Sequence, residues 1–141
     1  SGVDVARKIL ILIRESGYQM EIEDIENNSF LPDECMNTSN NDDFFKSLTK
    51  HASHFENLLT EAKQKESRLK FVASFENGKA SVGLQFIPSD SPFYNLEGKD
   101  NIVQFYTDRY IDQPLLIKGA GAGAAVTASG IFADVIRIGN V

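Results

Sequence analysis

The chain has 141 residues, a hydrophobic fraction of 42% and a formal net charge of −6, which fits one globular domain with its own core. The acidic balance disfavours nucleic acid and anionic membranes as partners. No apolar run approaches the ~18 residues that a membrane-spanning helix needs, and the first residues have no signal-peptide pattern. Cys35 is the one cysteine and has no internal disulfide partner, so a reducing, cytoplasmic location is expected.

The first half of the chain predicts two helices that flank a strand and a loop. Apolar residues near the 3.6 period over residues 3–16, followed by Gly17, predict a largely buried helix. Asp4, Lys8, Ile11 and Glu15 occupy its narrow remaining face. Residues 21–31 read as a short strand that enters a loop turning at Pro32, and the polar residues 33–41 read as an exposed loop. One long helix is expected from Asp42 or Asp43 to Glu66, with a buried side formed by Phe44, Phe45, Leu48, Phe55, Leu58, Leu59 and Ala62.

The second half predicts strands and a closing helix. Alternating apolar residues on both sides of Asn77-Gly78 predict a hairpin with a type I′ turn, ending near Phe86. A loop over 88–98, strands over 101–107 and 114–118, and a helix over 122–138 follow. This order favours an α+β fold, in which a mixed β-sheet carries helices on one face.

Asp4 and Lys8 stand four residues apart on the first helix. Such a pair is often an ordinary surface ion pair. If it faces a cleft instead, Asp4 can orient a substrate or the Lys8 amine, and Lys8 can transfer a proton. Both interpretations stay open at this point.

His51 and His54 are three residues apart, and helical histidine pairs can bind metal. No further cysteine or histidine joins them, so solvated side chains and no metal site are expected. Cys35 has no basic neighbour in sequence that favours a reactive thiolate.

A glycine-rich run covers residues 119–124 (GAGAGA) between a predicted strand and a predicted helix. It matches the alanine variant of the dinucleotide fingerprint, but the chain ends before the second parallel strand that a Rossmann unit requires. The glycines then serve either close backbone approach to a ligand or tight packing of the helix.

Two segments together resemble the homoserine dehydrogenase family. Residues 1–8 (SGVDVARK) look like the signature at the start of that family's substrate domain, and residues 115–134 look like its C-terminal segment. Residues 29–32 (SFLP) and 92–101 (PFYNLEGKDN) most resemble the bifunctional aspartokinase–homoserine dehydrogenases.

The resemblance implies an oxidoreductase that interconverts L-homoserine and L-aspartate 4-semialdehyde with NADP or NAD, on the route to threonine, methionine and isoleucine. It implies Lys8 as the general acid/base, Asp4 as a substrate contact and Gly123 as a cofactor contact. It also implies that this domain builds a homodimer, and that residues 119–138 pack on a nucleotide-binding domain.

The sequence contains no Rossmann domain and no kinase domain. We therefore expect residues 1–141 to be a substrate-binding and catalytic domain fragment that binds no cofactor by itself and is inactive alone. The apolar residues Ile131, Phe132, Val135 and Ile136 are expected to be covered by a neighbouring chain. The alternative is a non-catalytic α+β module for regulation or oligomerisation, although the repeated βαββαβ pattern typical of regulatory domains is missing.

Overall fold

The computed structural model describes residues 2–140, and the chain divides after Tyr94 into two compact units. The first unit contains four helices and a three-stranded sheet. Its elements are α1 (Val3–Glu15), a 3₁₀ turn (Ile22–Asp24), β1 (Glu26–Asn28), α2 (Asp33–Met36), α3 (Asn41–Lys50), α4 (Ala52–Gln64), β2 (Ser67–Glu76) and β3 (Lys79–Pro88). The second unit contains β4 (Asp100–Thr107), β5 (Tyr110–Ala120) and α5 (Ala124–Gly139).

Helix α1 forms and ends as predicted. After Ser16, Gly17 takes a positive φ of 90°, and the Tyr18 N–H donates to the Ile13 carbonyl oxygen, which closes the helix with a Schellman motif. The inward residues Ala6, Leu10 and Ile13 are buried. The expectation of a largely buried helix was wrong, because the opposite face is exposed along its whole length.

The sheet of the first unit is mixed, as expected. Strand β3 lies in the middle, parallel to β1 and antiparallel to β2. Asn77 and Gly78 both have positive φ, as the predicted type I′ turn requires. Strands β4 and β5 pair with each other in a separate two-stranded sheet.

Both long helices of the first unit pack on one face of its sheet, which confirms the predicted layer. The core that α1 shares with the strands consists of Ala6, Leu10, Ile13, Ile25, Ala80 and Val82, with Phe71, Ala73 and Phe75 partly buried beside it. Helix α4 contacts β2, and Lys65, which follows α4, lies 4.3 Å above the Phe86 ring. Phe86 shares the face of Val82 because strand side chains alternate.

The structure corrects three predictions between residues 21 and 66. Residues 21–31 contain the expected short strand, but it has only three residues and follows a 3₁₀ turn that was not predicted. The predicted exposed loop over 33–41 contains α2, and Cys35 within it is buried. This helix begins after Pro32, which precedes it with an extended ψ of 145°, and carries acidic residues in its first turn.

The predicted long helix is interrupted at His51 and forms two helices, α3 and α4. The His51 Nδ1–H donates to the Ser47 carbonyl oxygen at 2.9 Å. Of the predicted buried side only Ala62 is buried, whereas Phe45 and Leu59 are exposed. The boundaries of the later elements differ by a few residues: β5 extends over Tyr110–Ala120, and α5 begins at Ala124.

Candidate functional site

Asp4 and Lys8 lie one turn apart on the outward face of α1. The Lys8 Nζ atom is 2.9 Å from Asp4 Oδ2, and the two side chains are 61% and 80% exposed, respectively. Among residues 2–140 their side chains make no other polar contact. Within this chain the pair therefore has the geometry of a surface ion pair, which leaves both groups accessible to a molecule that approaches α1 from solvent.

The start of α1 is held by contacts that sequence reasoning missed. Gly2 precedes the helix and has a left-handed φ of 74°. A Cβ atom on Gly2 would lie 2.7 Å from Asn27 Oδ1 and 2.8 Å from Phe71 Cζ. Only glycine fits both the φ and this space. The sequence hinted at Gly2 through its place before the helix, but nothing marked Asn27.

The glycine-rich run of the second unit connects β5 to α5. Gly119 and Ala120 belong to β5, and Gly123 is the residue before α5. Its φ of 131° and ψ of 147° lie in a region that L side chains rarely adopt. At Gly121 a side chain would collide with the amide of Asn101. Gly123 is thus favoured by its backbone conformation, and Gly121 by the space that the Asn101 side chain occupies.

The first turn of α5 suits a phosphate or another electron-rich group. No side chain caps the helix and no acidic residue lies in its first turn, so its first backbone N–H groups point outward without a competing anion. The sequence left two interpretations of residues 119–124, a close contact with a dinucleotide or tight packing of the helix. However, β4 and β5 are antiparallel, so this unit lacks the parallel βαβ arrangement of a Rossmann fold.

The two histidines were expected to be solvated, but each bonds to the backbone. The His54 Nε2–H donates to the Phe30 carbonyl oxygen at 2.9 Å, and this bond ties α4 to the loop before α2. His51 Nε2 lies 3.5 Å from a Glu34 carboxylate oxygen. Within residues 2–140 no group of three or more histidine, cysteine or acidic side chains is placed to hold a metal ion.

Cys35 joins α2 to α3. Its Sγ atom lies 3.3 Å from the Ser47 hydroxyl and 3.8 Å from His51 Nδ1, and the residue is 1% exposed. A thiol so deeply buried is out of reach of a substrate, and its contacts indicate a packing role.

The structure brings Asp4 and Lys8 together, and it places Gly123 in the second unit. No helix between residues 2 and 140 has the length and apolar character to cross a membrane.

Comparison with known proteins points to one family. A family model described as homoserine dehydrogenase matches residues 1–136. The chain is 38% identical to the chloroplastic bifunctional aspartokinase/homoserine dehydrogenase 2 of Zea mays, over 99% of this chain and 16% of that protein. It is 38% identical to the homoserine dehydrogenase of Schizosaccharomyces pombe, over 98% of this chain and 38% of that protein.

A solved structure has the same fold. The crystal structure of a Candida auris protein of unknown function superposes with a TM-score of 0.87 at 36% sequence identity, covering 99% of this chain and 39% of that one. By length, the chain spans about a sixth of the maize relative and under two fifths of the fission-yeast relative.

Proposed function

The chain belongs to the homoserine dehydrogenase family, and from this premise we propose that it is the substrate-binding and catalytic domain of an enzyme that interconverts L-homoserine and L-aspartate 4-semialdehyde. Lys8 acts as the general acid/base and Asp4 binds the substrate. The proposal depends most on the accessible pair at the start of α1, where the Lys8 amine lies 2.9 Å from the Asp4 carboxylate.

Oxidation of L-homoserine to L-aspartate 4-semialdehyde removes one proton and one hydride from the substrate. In the oxidative direction the Lys8 amine, in its neutral form, takes the hydroxyl proton of L-homoserine and becomes an ammonium. When bound, the nicotinamide would supply the acceptor for the hydride that leaves the carbon carrying this hydroxyl. The Asp4 carboxylate accepts hydrogen bonds from the substrate or from the Lys8 ammonium and so keeps the amine at the reacting group.

Gly123 is the proposed cofactor contact. Without a side chain it allows the backbone to approach the dinucleotide closely, and the uncapped first turn of α5 offers N–H donors. We propose NADP or NAD as the cofactor.

Other parts of the proposal concern the surroundings of the domain. The share of the relatives' length that the chain covers supports a separate nucleotide-binding domain in the same polypeptide. The exposed apolar residues of α5, including Ile131 and Phe132, support packing of residues 119–138 on that domain. We also propose that the domain builds a homodimer. The single buried thiol supports a reducing compartment such as the cytoplasm.

The test is a set of lysine variants in the full-length protein. Lys8→Ala should lower kcat for L-homoserine oxidation by about 10²–10⁴-fold, which is the usual contribution of a positioned acid/base, with little change in KM. Lys8→Arg should lose as much, because arginine keeps the charge beside Asp4 but does not give up its proton. Lys63→Ala removes an exposed lysine of α4 and should leave turnover unchanged.

Two results would contradict the proposal. Turnover that survives Lys8→Ala would remove its catalytic role and favour the alternative of a non-catalytic regulatory or oligomerisation module. NADP-linked turnover by the isolated 141-residue chain would show that no further domain is needed, since we propose that the chain alone is inactive.

A further inference from the structure

Gly2, at the start of α1, lies close to Asn27 of β1 and to Phe71 of β2. Gly2 lacks a Cβ atom at the position that would lie 2.7 Å from Asn27 Oδ1 and 2.8 Å from the Phe71 ring. The backbone at the start of α1 is therefore in close contact with β1 through Asn27 and with β2 through Phe71. Any larger group on either side of this contact has to move the helix or the strand.

The strand that carries Asn27 makes a second close contact, between its next residue Asn28 and Gly83 of β3. Strand β1 pairs with β3, with Asn27 opposite Val82 and Asn28 opposite Gly83. A Cβ atom on Gly83 would lie 2.9 Å from the Asn28 Cβ and 3.2 Å from its carbonyl oxygen. This short edge strand is thus packed closely against the middle strand β3, which fixes the backbone from which the exposed side chain of Asn27 reaches the start of α1.

The position of the helix backbone decides where the proposed catalytic groups lie. Asp4 and Lys8 are held by each other and not by any other side chain of residues 2–140. Their exposure means that no packed neighbour corrects their placement if α1 shifts. Proton transfer falls steeply when the reacting atoms are misplaced by an ångström.

From this geometry we propose that Asn27 is a positioning residue for the homoserine dehydrogenase reaction. It acts through Gly2 and the first turn of α1, and it sets the place of the Lys8 amine relative to the substrate hydroxyl. The inference rests on the proposed function, because it gives Asn27 a role only if Lys8 transfers the proton.

The experiment is a double-mutant cycle in the full-length protein. Asn27→Ala should lower kcat for L-homoserine oxidation about ten- to a hundredfold, the range expected for a small misplacement of a catalytic group, while the KM for the nucleotide stays the same. In a Lys8→Ala background the same substitution should change the residual rate by less than about twofold, because the two residues act in one step.

Three companion variants make the result specific. Asn27→Asp keeps the shape of the side chain and should recover most of the lost rate. Glu26→Ala changes the neighbouring residue of β1, which points to the other side of the strand, and should leave the rate unchanged. Gly2→Ala disturbs the same contact from the helix side, so it should repeat the pattern of Asn27→Ala. It replaces that variant if thermal unfolding shows that Asn27→Ala is not folded.

The outcomes separate the two proposals. A wild-type rate for Asn27→Ala, or an equal loss in both backgrounds, overturns the positioning role, since an equal loss is what a general structural defect produces. If Lys8→Ala alone keeps full turnover, the proposed role of Lys8 has failed before Asn27 is considered.

Discussion

The two compact units differ in where their apolar side chains lie. The first unit buries Leu10, Ile13 and Val82 between helix and sheet. In the second unit no described residue from 95 to 140 is buried. There the large apolar side chains of β5 and α5 are exposed, and those most exposed are Ile111, Ile131, Phe132, Val135 and Ile138.

This difference indicates that the units obtain their stability in different ways. Removal of apolar surface from water is the main favourable term in folding, and the first unit achieves it with its own residues. An exposed apolar helix such as α5 gains little from burial within this chain, and large exposed apolar patches usually mark contact sites. The candidate catalytic pair, Asp4 and Lys8, thus belongs to the unit that has its own buried core. The candidate cofactor contact, Gly123, belongs to the unit whose apolar side chains are exposed.

The largest effect is expected from truncating the core of the first unit. Ile13→Ala should destabilise the chain by about 2–5 kcal/mol, because it leaves a cavity at a residue that is 1% exposed. Ile131→Ala on α5 is the matched control and should change the stability of the 141-residue chain by less than about 0.5 kcal/mol. Urea unfolding measures both.

The same control sharpens the comparison in the full-length protein. If another domain covers α5, Ile131→Ala should lower the free energy of unfolding clearly more in the full-length protein than in the isolated chain. An equal loss of stability in the two proteins would argue against the proposal that another domain covers α5.

An intermediate effect is expected from two glycines of the second unit. Gly123→Ala should cost about 1–3 kcal/mol, because alanine is strained at a φ of 131°. Gly130 lies within α5, and no other atom lies within 4 Å of the place where a Cβ would stand, apart from the helix's own backbone. Gly130→Ala should therefore stabilise the helix by about 0.5–1 kcal/mol. Hydrogen exchange of the α5 amides should therefore speed up in the first variant and slow down in the second. Unchanged protection in Gly123→Ala would show that its backbone can relax.

The smallest effect on stability is expected at the candidate site itself. Asp4→Asn removes an exposed ion pair and an acid at a helix start, so it should cost less than about 1 kcal/mol. Glu61→Gln is matched to it, because Glu61 of α4 and Lys65, the residue just after α4, form an exposed pair with the same spacing. Only Asp4→Asn should raise the KM for L-homoserine in the full-length protein. A similar KM in both variants would remove Asp4 from the substrate site.

The features that the sequence predicted correctly are those with a local cause. The type I′ turn needs two residues that tolerate positive φ, and Asn77-Gly78 provides them. The end of α1 needs a glycine after the last turn, and Gly17 is there. The spacing of Asp4 and Lys8 put them on one helix face, and their ion pair follows from that spacing alone.

The predictions that failed depended on distant partners. Residues 42–66 have a nearly continuous helical pattern, but the chain breaks at His51, whose ring bonds to Ser47 and lies beside Glu34. Cys35 sits in a polar segment, yet α2 and α3 bury it together. A pattern of single residues does not show which helix will cover another.

The amino-acid sequence alone determined helix α1, the hairpin of β2 and β3 with its turn, the acid–base pair on α1 and the likeness to a family, because each follows from short-range geometry or from motif identity. Only the tertiary structure decided that Gly2 is braced by Asn27 and Phe71, that Gly123 stands at a φ of 131°, and that α5 carries its apolar residues outward. These features depend on which distant segments of the chain pack against each other and which stay exposed. The free energy of such packing is a property of the whole fold.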